Sequence, residues 1–112
     1  MKGQALKGHL DLLILAVLAE GPRHGYAVIE ILKERSGESF DLPEGTVYPV
    51  LHRLEKADLL TSVWEDSQGR ARRTYRLSDK GKRSLAEQRT AWDQFSRAVG
   101  SVLGGAPWPK PT

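Results

Sequence analysis

The 112-residue chain contains no cysteine. That absence excludes disulfide frameworks, thiolate metal sites and cysteine nucleophiles. Long apolar runs are missing as well. The densest, Leu12 to Ala19, falls far short of the roughly 20 residues a membrane-spanning helix needs. Asp11 interrupts that segment on one side and Glu20 ends it on the other, so it does not read as a signal peptide, and the expected compartment is the cytoplasm. Histidine is scarce: His9, His24 and His52 are scattered and share no metal-ligand spacing. No glycine-rich phosphate loop follows a strand, and no serine has a plausible triad. Glu30 and Glu34 are spaced i, i+4 on a helix and read as solvated surface. The chain is therefore expected to be neither an enzyme nor a carrier of a cofactor or metal.

What is present fits one small soluble domain. Hydrophobic residues make up 39% and charged residues 28%, which is ordinary for a globular fold. The chain has 17 Lys/Arg against 14 Asp/Glu, a net charge of +3. That excess is unevenly spread: residues 1–51 sum to −2, residues 52–83 to +4 and residues 84–112 to +1. A positive middle points to an anionic partner for that segment.

Hydrophobic spacing predicts a helix from Lys7, with Leu10, Leu13, Ile14, Val17 and Leu18 on one face. Leu12, Leu15, Ala16 and Ala19 make it apolar nearly all round, which predicts burial against a second chain. Gly21-Pro22 stops it. A second helix is expected over residues 25–35, with Tyr26, Val28, Ile29 and Leu32 inward, and then a loop over residues 38–43 with a strand-like piece around Phe40. A third helix is expected over residues 45–57, burying Val47, Val50, Leu51 and Leu54. With Thr46 as its N-cap, Pro49 falls at the third helical position, so the proline marks the helix start.

After Asp58 the pattern changes to strands. Residues 60–65 and 71–77 flank the turn cluster Asp66-Ser67-Gln68-Gly69. Ser78 is placed to cap a last helix through Leu103. On that helix Leu85, Trp92, Phe95, Val99 and Val102 fit a heptad seam, with Gln88 at one core position. The fold class is mainly α (α+β): a winged helix-turn-helix over residues 6–77 with a two-stranded wing, a dimerisation helix over 78–103 and a Pro-rich tail over 104–112.

In that architecture the third helix enters the DNA major groove and the hairpin lies against backbone or minor groove. The exposed side of the third helix presents Thr46, Tyr48, Pro49, His52, Arg53 and Lys56. Tyr48 and His52, four apart, share a side and can address base edges or phosphates. Arg70, Arg72, Arg73 and Arg76 crowd the hairpin, more positive charge than edge protection requires, and are suited to phosphates. Arg76 also suits an ion pair within the domain. The same surfaces fit a protein–protein module, so that alternative stays open.

Three segments carry a family resemblance. Residues 45–55, with the run Gly45-Thr46-Val47-Tyr48-Pro49, closely resemble the recognition helix of PadR-type transcriptional regulators. His24-Gly25-Tyr26 resembles that family's turn into its second helix. Residues 72–78 with Gly81 resemble its wing strand and the start of its last helix. Asp58 departs from the family's usual glycine, yet Asp tolerates the left-handed conformation that the turn requires. The resemblance implies a homodimeric regulator, usually a repressor, of the compact branch with a single C-terminal dimer helix. It would read a palindromic operator with half-sites about 34–36 Å apart. The implied dimer contacts are Leu10, Leu13, Ile14 and Val17 of the first helix with Leu85, Trp92, Phe95 and Val99 of the last. Some compact members bind flat aromatic compounds through a tryptophan of the last helix. Trp92 sits comparably, with Phe95, Leu13 and Val17 as companions; an interface anchor with no ligand is the other role open to it.

Overall fold

The computed structural model describes residue 6 and residues 8–104. The expected frayed start over residues 1–5 and the Pro-rich tail beyond Gly104 lie outside the described residues. The order of elements is α1 (Leu10–Leu18), β1 (Arg23–His24), α2 (Gly25–Arg35), α3 (Glu44–Lys56), β2 (Leu60–Ser67), β3 (Arg70–Leu77) and α4 (Asp79–Leu103). The strands form one antiparallel sheet in the order β1-β3-β2.

α1 is the hub of the core. It packs against α2, α3, α4 and β3 at once, and Leu10, Ile14, Leu15, Val17 and Leu18 are buried. The expectation that such a helix needs a second chain is corrected for Leu10, Ile14 and Val17, because four elements of its own chain already enclose them. Of its apolar residues, Leu12, Leu13 and Ala16 remain partly covered. Each fully buried Leu or Ile contributes about 1.5–3 kcal/mol. The helix spans Leu10–Leu18, after a turn in which the His9 N–H donates to the Leu6 carbonyl at 2.8 Å; the start expected at Lys7 lies outside the described residues.

α2 has the expected span, but its buried face is Gly25, Val28, Ile29 and Leu32. That face leaves Tyr26 about a third of a turn away and 59% exposed, against the inward placement expected for it. The helix ends where the Gly37 and Glu38 N–H groups turn back onto Glu34 and Lys33 carbonyls, the left-handed C-terminal turn that glycine favours. The strand-like piece expected around Phe40 is irregular. Its backbone N–H is taken by Ser36 Oγ at 2.8 Å, and Phe40 is partly buried against the core.

α3 begins one residue early. Pro43 is its N-cap, accepting from the Thr46 and Val47 N–H groups at 3.0 and 3.2 Å. Thr46 is therefore inside the helix and Pro49 lies in its second turn, so the proline does not mark the start. Lacking an N–H, Pro49 cannot serve the Gly45 carbonyl. Gly45 is exposed, so the loss of that bond falls on the solvent side of the helix. At the other end Asp58 adopts the expected left-handed conformation (φ 65°). Its N–H donates to Glu55 and that of Leu59 to Leu54, at 2.9 and 3.0 Å.

The hairpin is tighter than the turn cluster implied. Asp66 and Ser67 still belong to β2, and the loop is Gln68-Gly69 alone, with φ 55° and 78°. Positive φ at both central residues is what a type I′ two-residue hairpin turn demands. β1, which the sequence did not reveal, pairs with the inner half of β3 through Arg23↔Tyr75 and His24↔Thr74. The two-stranded wing is thus the outer part of a three-stranded sheet.

Ser78 caps α4 as expected. Its Oγ accepts from the Gly81 N–H at 2.9 Å and donates to the Asp58 carbonyl at 2.6 Å. The Ser78 N–H donates to the Leu59 carbonyl at 3.0 Å, and Lys80 Nζ to that of Ala57 at 3.1 Å. Only Gly81 and Leu85 of this 25-residue helix are buried. Farther along, Trp92, Phe95, Val99, Val102 and Leu103 form an uncovered apolar stripe. Two helices, a hairpin and the supporting α1 make a mainly helical winged helix-turn-helix with a long last helix.

The α3–α4 junction sets a stability test. A Cβ on Gly81 would lie 2.1 Å from the Leu59 carbonyl oxygen, a backbone atom that cannot swing away. Gly81→Ala is expected to cost about 2–3 kcal/mol. Asp58→Gly, which relieves a left-handed non-glycine residue, should gain about 0.5–1 kcal/mol. Urea unfolding midpoints of the two variants should move in opposite directions.

Candidate nucleic-acid interface

α3 has three differently employed faces. Val47, Leu51 and Leu54 are buried. Thr46, Pro49 and Lys56 are exposed on the outer face. Glu44, Tyr48, His52 and Glu55 run along the flank that faces the wing, at spacings of four, four and three. Between this flank and the hairpin lies a groove of about 690 Å³ lined by Glu44, Tyr48 and His52 on one side and by Trp64, Arg70 and Arg72 on the other.

Tyr48 is half-buried because Gly25 makes room for it. A Cβ on Gly25 would fall 2.7 Å from the tyrosine ring, so the start of α2 and the middle of α3 fit only with glycine there. Burial, followed by the nearby Glu44 carboxylate, raises the Tyr48 pKa above the usual tyrosine value. His52 lies beside it, with ring centroids 6.4 Å apart. Behind both sits Tyr75, buried in the core, whose pKa is likewise raised chiefly by burial.

The structure separates the wing arginines by role. Arg70 and Arg72 are exposed at the groove rim. Arg73 lines the same groove but alternates with Arg70, Arg72 and Arg76 in the pleat, so it turns toward α3 and is tied down there. Its Nη2 donates to Glu55 Oε1 at 3.0 Å and its Nε to Ser62 Oγ at 2.8 Å, while Ser62 Oγ donates to Glu55 Oε2 at 2.6 Å. Its guanidinium lies 5.6 Å from the centre of Trp64 and 5.7 Å from that of Tyr75, within cation–π range. Arg76 is on the far side of the sheet, beside Pro22, Arg23 and Glu65. Arg53 is exposed as expected, and its guanidinium reaches back to α1. It makes a two-pronged ion pair with Asp11 at 2.6 and 3.1 Å.

The second expected site is only partly assembled in one chain. Leu13 and Val17 line a smaller groove of about 370 Å³ between α1 and α2, with Arg89 on its α4 side. Trp92 sits elsewhere, edge-on to His9 with centroids 5.0 Å apart and tilted against Phe95 at 6.2 Å. Leu13 and Val17 thus share one groove, and Trp92 and Phe95 one ring contact. Among the described residues no group of three His, Asp or Glu could hold a metal, and no helix is long and apolar enough to cross a membrane.

Sequence reasoning missed Glu55, Ser62, Asp11 and Trp64. Their roles depend on contacts across the fold, and the one local signal was Glu55, which follows Tyr48 at seven residues on the same flank.

Comparison with known proteins gives a consistent result. A family model described as "Transcriptional regulator PadR-like family" matches residues 14–87. The chain is 41% identical over 75 residues to the transcriptional regulator Rv3488 of Mycobacterium tuberculosis, covering 67% of each. It is 31% identical over 106 residues to a protein of Lysinibacillus sphaericus, covering 94% of this chain and 97% of that one. A solved PadR family transcriptional regulator from Eggerthella lenta superposes with a TM-score of 0.81 at 33% identity, covering 90% of this chain and 87% of that one.

The raised tyrosine pKa values set the sign of an alkaline test. Unfolded tyrosines ionise at about 10 and the folded ones later, so folding stability is full below that pH and is lost as pH rises through the folded values. The double variant Tyr48→Phe, Tyr75→Phe should show a smaller fall in urea midpoint than the parent between about pH 10 and 12.

Proposed function

The chain belongs to the PadR-like family of transcriptional regulators, and on that premise we propose that it is a homodimeric, sequence-specific DNA-binding repressor. The observation that carries this reading is the groove between α3 and the wing, edged by Arg70 and Arg72 and floored by Tyr48 and His52. Phosphates held by the rim arginines orient the duplex, and α3 meets the base edges. Thr46, Pro49 and Lys56 complete its leading face. Arg73 and Arg53 act one step back: their pairs with Glu55 and Asp11 hold the wing and α3 in position.

A second copy of the chain accounts for the stripe on α4. Phe95 is 57% and Val102 81% exposed, a run of apolar side chains that soluble monomers rarely leave open. The partly covered Leu13 and the stripe residues Trp92, Phe95 and Val99 form the interface of this proposal. Leu10, Ile14, Val17 and Leu85 support it from within the core. A flat aromatic effector would act at the same interface.

Salt dependence tests the DNA reading. Binding to a duplex from the region upstream of the protein's own coding sequence should weaken steeply as salt rises. Arg72→Ala should reduce the slope of log affinity against log salt by about one, on operator and random DNA alike. Tyr48→Phe keeps the ring that Gly25 accommodates and removes the hydroxyl, so it should reduce only the preference for operator. Salt-insensitive binding, or Arg72→Ala without effect on any duplex, would favour a protein-interaction module.

A further inference from the structure

We propose that Trp64 is a backbone-contacting residue of the DNA site, packing its indole on deoxyribose and donating its N–H to a phosphate. The inference rests on the DNA-binding reading above and deepens it.

Strand alternation places Trp64 on the same face of the sheet as Leu60 and Ser62. Leu60 is buried in the core, and Ser62 is bonded to α3. Trp64 is the next residue outward on that inner face, yet it is 67% exposed, because the core ends and the groove begins between it and Ser62. A large aromatic on the side that faces α3, covered in part by the Arg73 guanidinium and otherwise open, is a costly side chain to leave in water.

Its orientation is held. Cross-strand pairing sets Trp64 opposite Arg73, whose guanidinium lies over the ring while its other contacts bind Glu55 and Ser62. The indole is therefore presented to the groove rather than left to swing. The groove's charged rim, Arg70 and Arg72, specifies a polyanion. An indole offers two things to such a ligand: an apolar face for sugar C–H groups and one N–H donor for a phosphate oxygen. Neither depends on base identity, so the contact adds affinity and register without selecting sequence.

The role separates cleanly from that of the arginines. Losing an arginine contact lowers the salt slope, because fewer counterions are released. Losing Trp64 should not. Trp64→Ala is expected to weaken binding about five- to tenfold on operator and random duplexes alike, with the parental salt slope. A second readout needs no loss of side-chain bulk. Acrylamide quenching of the intact protein should fall when duplex is added, and that protection should be absent from Trp64→Phe. If labelled duplex binds but Trp64→Ala binds equally and quenching is unchanged, the Trp64 assignment is overturned while the DNA reading stands. If the parent protein binds no duplex, the DNA reading fails and the assignment with it. An altered salt slope in Trp64→Ala would also contradict it, by making the residue an organiser of the arginines.

Discussion

The ion pair between Glu55 on α3 and Arg73 on the wing, bridged by Ser62, is the contact on which the site depends. A two-stranded hairpin on its own is marginally stable, and its inner half is secured by β1 and by the burial of Leu60, Tyr75 and Leu77. Beyond Ser62 that support ends. The distance from groove floor to cationic rim is then set by one triad and by the stacking of Arg73 on Trp64 and Tyr75. An arginine engaged within the chain thus bears on where Arg70 and Arg72 stand. The acid that holds it lies on the helix proposed to meet the bases, so an anion near a DNA site is tolerated for the geometry it provides.

Two further joints make α3 part of a larger rigid unit. Asp11 and Arg53 fasten its outer side to α1. At its C-terminus, Ser78 and Lys80 bond the carbonyls of Asp58 and Ala57, and Gly81 lets the first turn of α4 close on Leu59. The helix that carries the exposed apolar stripe therefore starts against the C-terminal turn of α3, although the hairpin separates the two in sequence. In a homodimer joined through that stripe, the orientation of the two α4 helices would fix the separation of the two α3 helices. A change at the interface would reach the DNA surface through hydrogen bonds a few residues long.

Much of this was legible in the sequence, where the determinants are local. The α2 span, the Ser78 cap, the left-handed Asp58 and the seam of α4 all follow from spacing and capping chemistry within a few residues. Failures arose where a distant element decides. Leu10, Ile14 and Val17 looked like interface residues because an all-apolar helix seemed too much for one small chain, and four surrounding elements bury them instead. Arg53 and Arg73 looked like free cations because Asp11 and Glu55 are 42 and 18 residues away. The two-residue β1 is too short to have a period, and Tyr26 was misplaced because glycine, not tyrosine, occupies the buried start of α2. Trp64 escaped notice because its role depends on hairpin register. A four-residue loop closing on Glu65 and Arg70 would set it opposite Ala71; the tighter Gln68-Gly69 turn sets it opposite Arg73.

Substituting Glu55 tests the positioning account most directly, since two explanations predict opposite signs. If charges act only by attraction to DNA, Glu55→Gln removes a negative charge from the interface and should tighten binding. If Glu55 acts by holding Arg73, the same change should weaken binding to one duplex at fixed salt roughly fivefold, about 1 kcal/mol. Combined with Arg73→Ala it should then add little, because the two residues form one unit. Tighter or unchanged binding by a folded Glu55→Gln protein, or full additivity with Arg73→Ala, would contradict the account.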